Sequence, residues 1–377
     1  MKVTCLQDKL SRGLSIVGRA VSTRSTLPVL GNVLVKTENG RLKLAATNRE
    51  IVITCWISAK VEEDGATTVP ARTFSDLVNA LPPEPVQLLL NKDTETLHLT
   101  CARTEANVKG INAQEFPLIP DPVEDNRIRI ERDELKRMIN QVAFAAATDD
   151  TRPTLTGVYT KFENNELVMA ATDGFRLSVG SADLAQPAAN KQEVIIPARA
   201  LSEVARVAHD DVDAIAISLP AGRNQVIFDL GDIIIVSQLI DGAFPDFSAV
   251  IPKRHKTRTI FSTADFYKAC KTADIFARES SHTARVRIEP GNEIMPGYAT
   301  ISATSTETGD NVAQVDASVD GDGVEIAFNV KFMNEVLSVI DSPQVALETI
   351  TAMEPGVIKP VGNEDFTHVI MPMHFNR

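Results

Sequence analysis

Apolar and polar positions follow one pattern three times along this chain. In Glu166–Leu177 (ELVMAATDGFRL) apolar residues alternate, then give way to a small residue, Thr and a turn residue. Arg41–Glu50 (RLKLAATNRE) repeats the kernel closely, and Tyr298–Glu307 (YATISATSTE) repeats it in blurred form. The kernel threonines are Thr47, Thr172 and Thr304, so the spacings are 172 − 47 = 125 and 304 − 172 = 132. Self-similarity at that period predicts one structural unit used three times. A second pattern recurs at similar offsets in Val69–Leu81, Ile196–Ala208 and Phe328–Ile340. Its apolar positions run Phe74, Leu77, Val78, Leu81; Leu201, Val204, Ala205, Ala208; and Met333, Val336, Leu337, Ile340. That is the i, i+3, i+4, i+7 stripe of an amphipathic helix. A further helix opens each unit, with stripes at Leu10/Leu14/Val17, Leu135/Ile139/Val142 and Phe266/Cys270/Ala273.

Between the helices, runs rich in Val, Ile and Leu read as strands, among them Leu27–Val35, Leu42–Ala46, Leu155–Phe162, Glu166–Ala171 and Tyr298–Ala303. Asp173–Gly174 reads as a turn, since Gly tolerates positive φ. Two linkers stand out, the proline-rich acidic Phe116–Asp125 and Asp241–Pro252. The expected organisation is three domains at 1–125, 126–253 and 254–377. Each is α+β, two helices on antiparallel sheet.

Composition narrows the class. With 44% hydrophobic and 23% charged residues the chain reads as globular. No apolar run approaches the roughly 18–20 residues of a membrane span. Lys2, Asp8, Lys9 and Arg12 within a helical pattern argue against a signal peptide, so a cytoplasmic location is expected. Cys5, Cys55, Cys101 and Cys270 form no CxxC pair and read as buried free thiols. No GxGxxG, Walker A, HExxH or GxSxG motif occurs. Asp149–Asp150 read as a solvated turn, Ser281–His282 as loop residues and Asp320–Gly323 (DGDG) as a hairpin turn without the calcium-loop pattern. No catalytic residue, metal or cofactor is expected.

The net charge of −12, from 38 basic and 50 acidic residues, excludes blanket electrostatic attachment to nucleic acid. A local basic surface remains open. The first helix of each unit carries a basic residue at one matching position, Arg12, Arg137 and Lys268. The second helix does the same at Arg72, Arg199 and Lys331. Arg12 is two positions from both Leu10 and Leu14, which points it away from the buried stripe. Glu131, Asp133 and Glu134 offset the charge in the second unit.

Together with the three repeats, ATDGFRL at 171–177, GAFPDF at 242–247 and VIMPM at 369–373 carry a resemblance. Over its whole length the chain resembles the bacterial DNA polymerase III β subunits, the sliding clamps. The resemblance implies a head-to-tail homodimer closing a six-domain ring, with helices lining the hole. Double-stranded DNA would be encircled without base readout, contacted by Arg12, Arg72, Arg137, Arg199, Lys268 and Lys331, with Arg24 from the loop Ser22–Ser25. Contact that must slide should be weak and salt-sensitive.

The resemblance also implies a cleft between the second and third domains. It would hold short linear peptides, with Leu and Phe anchors, from the replicative DNA polymerase, the clamp loader and other proteins. The matching positions are Arg152, Leu155, Thr172, Gly174, Phe175, Arg176 and Leu177, then Pro245 and Val250, then Val369, Ile370, Met371, Pro372 and Met373. Leu, Val, Pro and adaptable Met suit an apolar pocket. Phe175 stands where the family often has His, and Ser248 and Ala249 where it has basic residues, so a more apolar rim is expected. The tail runs on through Phe375, Asn376 and Arg377. For ring closure the matching residues are Ala106 and Val108 facing Ile275 and Phe276, with Ala106 in place of a common large aromatic.

The leading expectation is therefore a non-enzymatic processivity factor. A three-domain peptide-binding scaffold with no DNA role competes with it, and retention on nicked circular DNA separates the two. An enzyme with an unrecognised site is the third reading, which clustered carboxylates or histidines in a deep pocket would favour.

Overall fold

Each repeat opens with a strand that runs straight into a helix. A computed structural model describes residues 1–22, 26–120, 127–209 and 212–374. The first repeat contains β1 (Lys2–Leu6), α1 (Gln7–Val17), β2 (Asn32–Glu38), β3 (Arg41–Thr47), β4 (Ile51–Ser58), β5 (Lys60–Glu63), β6 (Ala66–Pro70), α2 (Ala71–Asn79), β7 (Pro85–Asn91), β8 (Thr96–Cys101) and β9 (Thr104–Lys109). The second contains β10 (Ile128–Glu131), α3 (Arg132–Val142), β11 (Gly157–Glu163), β12 (Glu166–Thr172), β13 (Arg176–Asp183), β14 (Gln192–Pro197), α4 (Ala198–Val207), β15 (Ala214–Ser218), β16 (Gln225–Asp229) and β17 (Ile233–Gln238). The third contains β18 (Thr257–Ser262), α5 (Thr263–Ala277), β19 (Thr283–Glu289), β20 (Tyr298–Ser305), β21 (Gly309–Asp320), β22 (Val324–Asn329), α6 (Val330–Leu337), β23 (Gln344–Thr349), β24 (Gly356–Pro360) and β25 (Phe366–Ile370).

Local chemistry explains the boundaries. The Asn329 side chain accepts from Lys331 N and Phe332 N and starts α6, and Ser262 Oγ accepts from Asp265 N at the head of α5. Pro82 and Pro83 follow α2 and cannot continue it. The expected strand Leu27–Val35 begins only at Asn32, because Pro28 opens a 3₁₀ turn over Pro28–Gly31. The helical stripes are buried as their spacing predicts: Leu10, Leu14, Phe74, Phe266 and Met333 are all 1% exposed or less. No described helix is long and apolar enough to cross a membrane.

The sheets do not respect the repeats. One compact unit comprises Met1–Arg132 with Glu203–Leu239, the other Asp133–Ser202 with Ile240–Arg377. The first unit holds a five-stranded sheet, β5-β1-β7-β8-β9, and an eight-stranded one, β10-β15-β16-β17-β4-β3-β2-β6. The second holds a twelve-stranded sheet, β14-β11-β12-β13-β25-β24-β23-β18-β21-β20-β19-β22. Strands of neighbouring repeats therefore join edge to edge, β17 on β4 and β25 on β13. The two seams have the same register. Val236 faces Val52 as Val369 faces Leu177, and Ile235 faces Ile53 as His368 faces Ser178.

All four cysteines are free and buried. Burial alone pushes the Cys5 thiol up to about 12, and burial, with Asp232 nearby, pushes Cys55 up to about 11, so both stay protonated and unreactive.

Candidate functional site

The β12–β13 turn builds one wall of a cleft in the second unit. Gly174 has φ +93°, a conformation that side-chain-bearing residues adopt only with strain. Asp173 Oδ1 accepts from Phe175 N at 2.9 Å and Arg176 N at 3.1 Å. Thr172 Oγ1 accepts from Gly174 N at 3.0 Å and donates to Arg176 O at 2.6 Å. The Thr-Asp-Gly triplet is thus a turn whose side chains satisfy its own backbone. Arg152 closes over it, donating through Nη2 to Asp173 O at 2.7 Å.

The floor is the β13–β25 seam. Leu177 and Val369 are cross-strand partners, and Met371 N extends the pairing to Phe175 O at 2.9 Å. Leu155 enters from the 3₁₀ turn Pro153–Thr156. The linker supplies the remaining wall. Phe244 and Phe247 pack on Tyr159 with ring centroids 5.7 and 5.6 Å away, which lays the linker on the sheet. Asp246 Oδ1 accepts from Ser248 N at 3.0 Å and Ser248 Oγ at 2.6 Å, curling the chain towards Val250. These hydrogen bonds, with the Ser248 hydroxyl first, hold the Asp246 carboxyl below its ordinary value.

The resulting cavity is about 260 Å³, lined by Arg152, Leu155, Thr172, Gly174, Arg176, Leu177, Pro245, Asp246, Phe247, Val250, Val369 and Met371. Ten of these are positions singled out from the sequence. Four others fall outside the lining. Ile370 is 1% exposed and belongs to the core of the third repeat. Phe175 stands at the rim, 62% exposed. Pro372 and Met373 lead away, with Met373 N bonded to Ala327 O at 2.8 Å. Asp246 and Phe247 were missed, although the aromatic spacing in FPDF signals an anchored linker. Phe375, Asn376 and Arg377 lie outside the described residues.

Arg176 lines the cleft but is already engaged. It is buried, bonds Asp173 and Glu335, and donates through Nη2 to Phe144 O at 2.9 Å. Its chemistry is that of a strut rather than a free cation.

The basic helix positions divide. Arg12, Arg72, Arg199, Lys268 and Lys331 are exposed on their helices. Arg137 departs from the expected solvent-facing role. It is half-buried, bonds Glu134 through two nitrogens, and donates to Gln141 Oε1 at 3.0 Å. The Glu134 carboxylate holds its guanidinium above the ordinary value. Arg24 lies outside the described residues.

Two sheet edges bear on the residues expected at ring closure. β9 is the outer strand of its sheet, and its inward positions are Ala106, half-buried, and Val108, 6% exposed. Val108 therefore packs beneath its own sheet instead of presenting itself outward. β21 pairs with β20 over Gly309–Asp316 but with β18 only over Ala317–Asp320, leaving one edge of its first half open. Val312 lies there, 65% exposed. Ile275 at the end of α5 is 55% exposed, whereas Phe276 is half-buried against the core of its own repeat.

Comparison with known proteins gives consistent matches. Models of the DNA polymerase III beta subunit match residues 1–120 (N-terminal domain), 129–246 (central domain) and 248–374 (C-terminal domain). The beta sliding clamp of Staphylococcus epidermidis is 33% identical over 382 residues, covering 99% of each chain. The DNA polymerase sliding clamp of Bacillus subtilis superposes with a TM-score of 0.92 at 29% identity over 100% of both chains. The sliding clamp of Pseudomonas aeruginosa, solved bound to griselimycin, gives a TM-score of 0.91 at 27% identity over 100% of both chains.

Proposed function

The chain belongs to the DNA polymerase III beta subunit family, the DNA sliding clamps, and from that premise we propose that two copies close head to tail around duplex DNA and tether replication proteins through the Leu177–Val369 cleft. The protein is a processivity factor without catalysis of its own, working in the cytoplasm where the chromosome is copied. The observation that carries the tethering role is the cleft itself. Its apolar walls are Leu155, Leu177, Pro245, Phe247, Val250, Val369 and Met371, and Thr172 and Arg176 are bonded within the protein, so an occupant gains by burying apolar side chains. A short extended peptide with Leu and Phe anchors suits it, presented by the polymerase, the clamp loader or repair proteins.

The DNA role draws on ring topology more than on adhesion. Exposed Arg72, Arg199, Lys268 and Lys331 recur on helices of the repeats, within a chain of net charge −12. Few phosphate contacts give weak, sequence-independent, salt-sensitive association, which suits a body that must move along the duplex. The open edges of β9 and β21, the latter carrying exposed Val312, are suited to main-chain pairing between protomers, and exposed Ile275 on α5 adds an apolar side chain. A peptide-binding scaffold without DNA is not favoured by the family assignment.

Loading onto nicked circular DNA, followed by linearisation, tests the ring. Retention on the circle and loss on the linear form are expected; equal retention on both would overturn encirclement.

A further inference from the structure

The cleft-bearing seam contains a buried polar pair that its counterpart lacks. Ser178 and His368 face each other across β13 and β25, with Oγ and Nδ1 2.6 Å apart. Both residues are fully buried. The imidazole stacks on Phe144 at a centroid distance of 5.5 Å, and its Nε2 has no hydrogen-bond partner among the described residues. A buried polar atom left unpaired opposes folding. At the β4–β17 seam the same two positions are Ile53 and Ile235, also fully buried. The fold accepts an apolar pair at this place, so the polar one calls for a reason beyond stability.

That reason is alignment. Phe366, His368 and Ile370 project to one side of β25, and Thr367 and Val369 to the other. A one-residue slip would turn every side chain to the wrong face, and the hydrophobic pattern forbids it. A two-residue slip keeps both faces. In one direction Ile370 comes opposite Ser178 and Met371 opposite Leu177. In the other, Phe366 comes opposite Ser178 and Thr367 opposite Leu177. Either way His368 loses its partner. β17 needs no such guard, because the short turn Leu230–Asp232 ties it to β16, with Leu230 N bonded to Ile233 O at 2.9 Å and Gly231 at φ +79°. β25 pairs with β24 as well, but through the longer connection Val361–Asp365 and over only three residues of β24, Gly356–Ile358.

We propose that Ser178 and His368 form a positioning pair that fixes the register of β25 and so aims Val369 and Met371 into the cleft. A single buried polar contact sets register in helical assemblies by the same logic: the correct alignment is the one that leaves the fewest polar atoms unpaired. What the register serves rests on the cleft reading. The register itself is observable without any ligand.

The test uses the full-length protein carrying Ser178→Ile with His368→Ile, which copies the other seam, beside Ser178→Ala and the conservative Ser178→Thr. Methyl NMR reads the Leu177–Val369 contact, and amide exchange reads Met371, whose N–H is bonded to Phe175 O. In the double variant and in Ser178→Ala the contact is expected to weaken and a second set of methyl signals to arise. Met371 exchange should accelerate roughly tenfold or more. The double variant should melt no lower than wild type, and Ser178→Thr should behave as wild type. Should the double variant fail to fold, Ser178→Ala decides alone. A single undisturbed Leu177–Val369 contact with wild-type Met371 protection in either would overturn the proposal. A synthetic Leu/Phe peptide titrated into each protein should lose affinity in step with the slipped fraction. If that peptide fails to bind wild type, the cleft reading falls while the register result stands.

Discussion

Arg176 lies over the Phe332 ring, its guanidinium carbon 4.2 Å from the centroid, and this contact ties the β12–β13 turn to helix α6. The same side chain bonds Asp173 and Glu335 and stands 5.3 Å over Phe144. The turn that walls the cleft is therefore braced from behind by a cation satisfied on every side.

Removing that brace should be costly. Arg176→Ala leaves two carboxylates without their partner and is expected to destabilise the protein by about 3 kcal/mol. Arg176→Lys keeps the charge but loses the planar fork, and should fall between the two. Denaturant unfolding checks both, and an alanine variant as stable as wild type would contradict the brace.

Stability should also decline in mild acid through His368. Burial first, and Arg176 second, lower its pKa from the ordinary 6.5 to about 3. Above about 6.5 neither the native nor the unfolded chain protonates this ring, and its contribution is fully present. As pH falls from there towards about 3, the unfolded chain takes up a proton that the native state refuses, so stability drops by about 1.4 kcal/mol per pH unit. Carboxylates titrate over part of the same range, so the measurement is the difference in slope between wild type and His368→Leu. Equal slopes would remove the assignment.

Met371 and Met373 should separate in a binding assay. Met371 lines the cleft, whereas the Met373 main chain is bonded to Ala327 O beyond it. Met371→Ala is expected to weaken a Leu/Phe peptide roughly tenfold, about 1.4 kcal/mol, and Met373→Ala to leave it within twofold. Calorimetry that ranks them the other way would relocate the site.

Dimer strength should respond to Ile275 and Val312 more cleanly than to Phe276. The first two are exposed in the protomer, at 55% and 65%, while Phe276 packs into its own core. Ile275→Ser with Val312→Ser is expected to shift sedimentation from dimer towards monomer at an unchanged melting temperature of the protomer. An unchanged dimer constant would exclude this edge.

Among the basic residues, Arg137 should behave differently from the rest. Neutralising Arg72, Arg199 and Lys331 to Gln is expected to flatten the salt dependence of DNA association, by a slope of about 0.9 for each phosphate that the variant no longer neutralises. Arg137→Gln should leave that slope alone and cost stability instead, because its charge is held by Glu134. A flattened slope for Arg137→Gln would return it to the DNA-facing set.

Much of this molecule is legible in its order of residues. The threefold repetition, the two amphipathic helices per repeat and the free buried thiols follow from short-range pattern. So does the Thr172–Gly174 turn, because a Thr-Asp-Gly triplet satisfies its own backbone whatever surrounds it. The ten expected cavity-lining positions come from the resemblance to the sliding clamps, and Arg152, Leu155 and Val250 lie outside its three motifs.

Position along the chain determined which side of each helix and strand is apolar, since periods of 3.6 and 2 are set within a few residues. Tertiary structure decided what those faces meet. That β25 joins β13, pairing residues such as Leu177 and Val369, depends on strands far apart in the chain arriving edge to edge. Only that meeting puts Asp246 and Phe247 on a cavity wall, leaves Val312 on an open edge, and sets His368 against Ser178 where the other seam has two isoleucines. Arg137 shows the same division: helical spacing turned it outward from the apolar stripe, but Glu134 and Gln141, one turn to either side, claimed its charge. Pairing energies of this kind act through space between specific atoms, and no periodicity along the backbone encodes them.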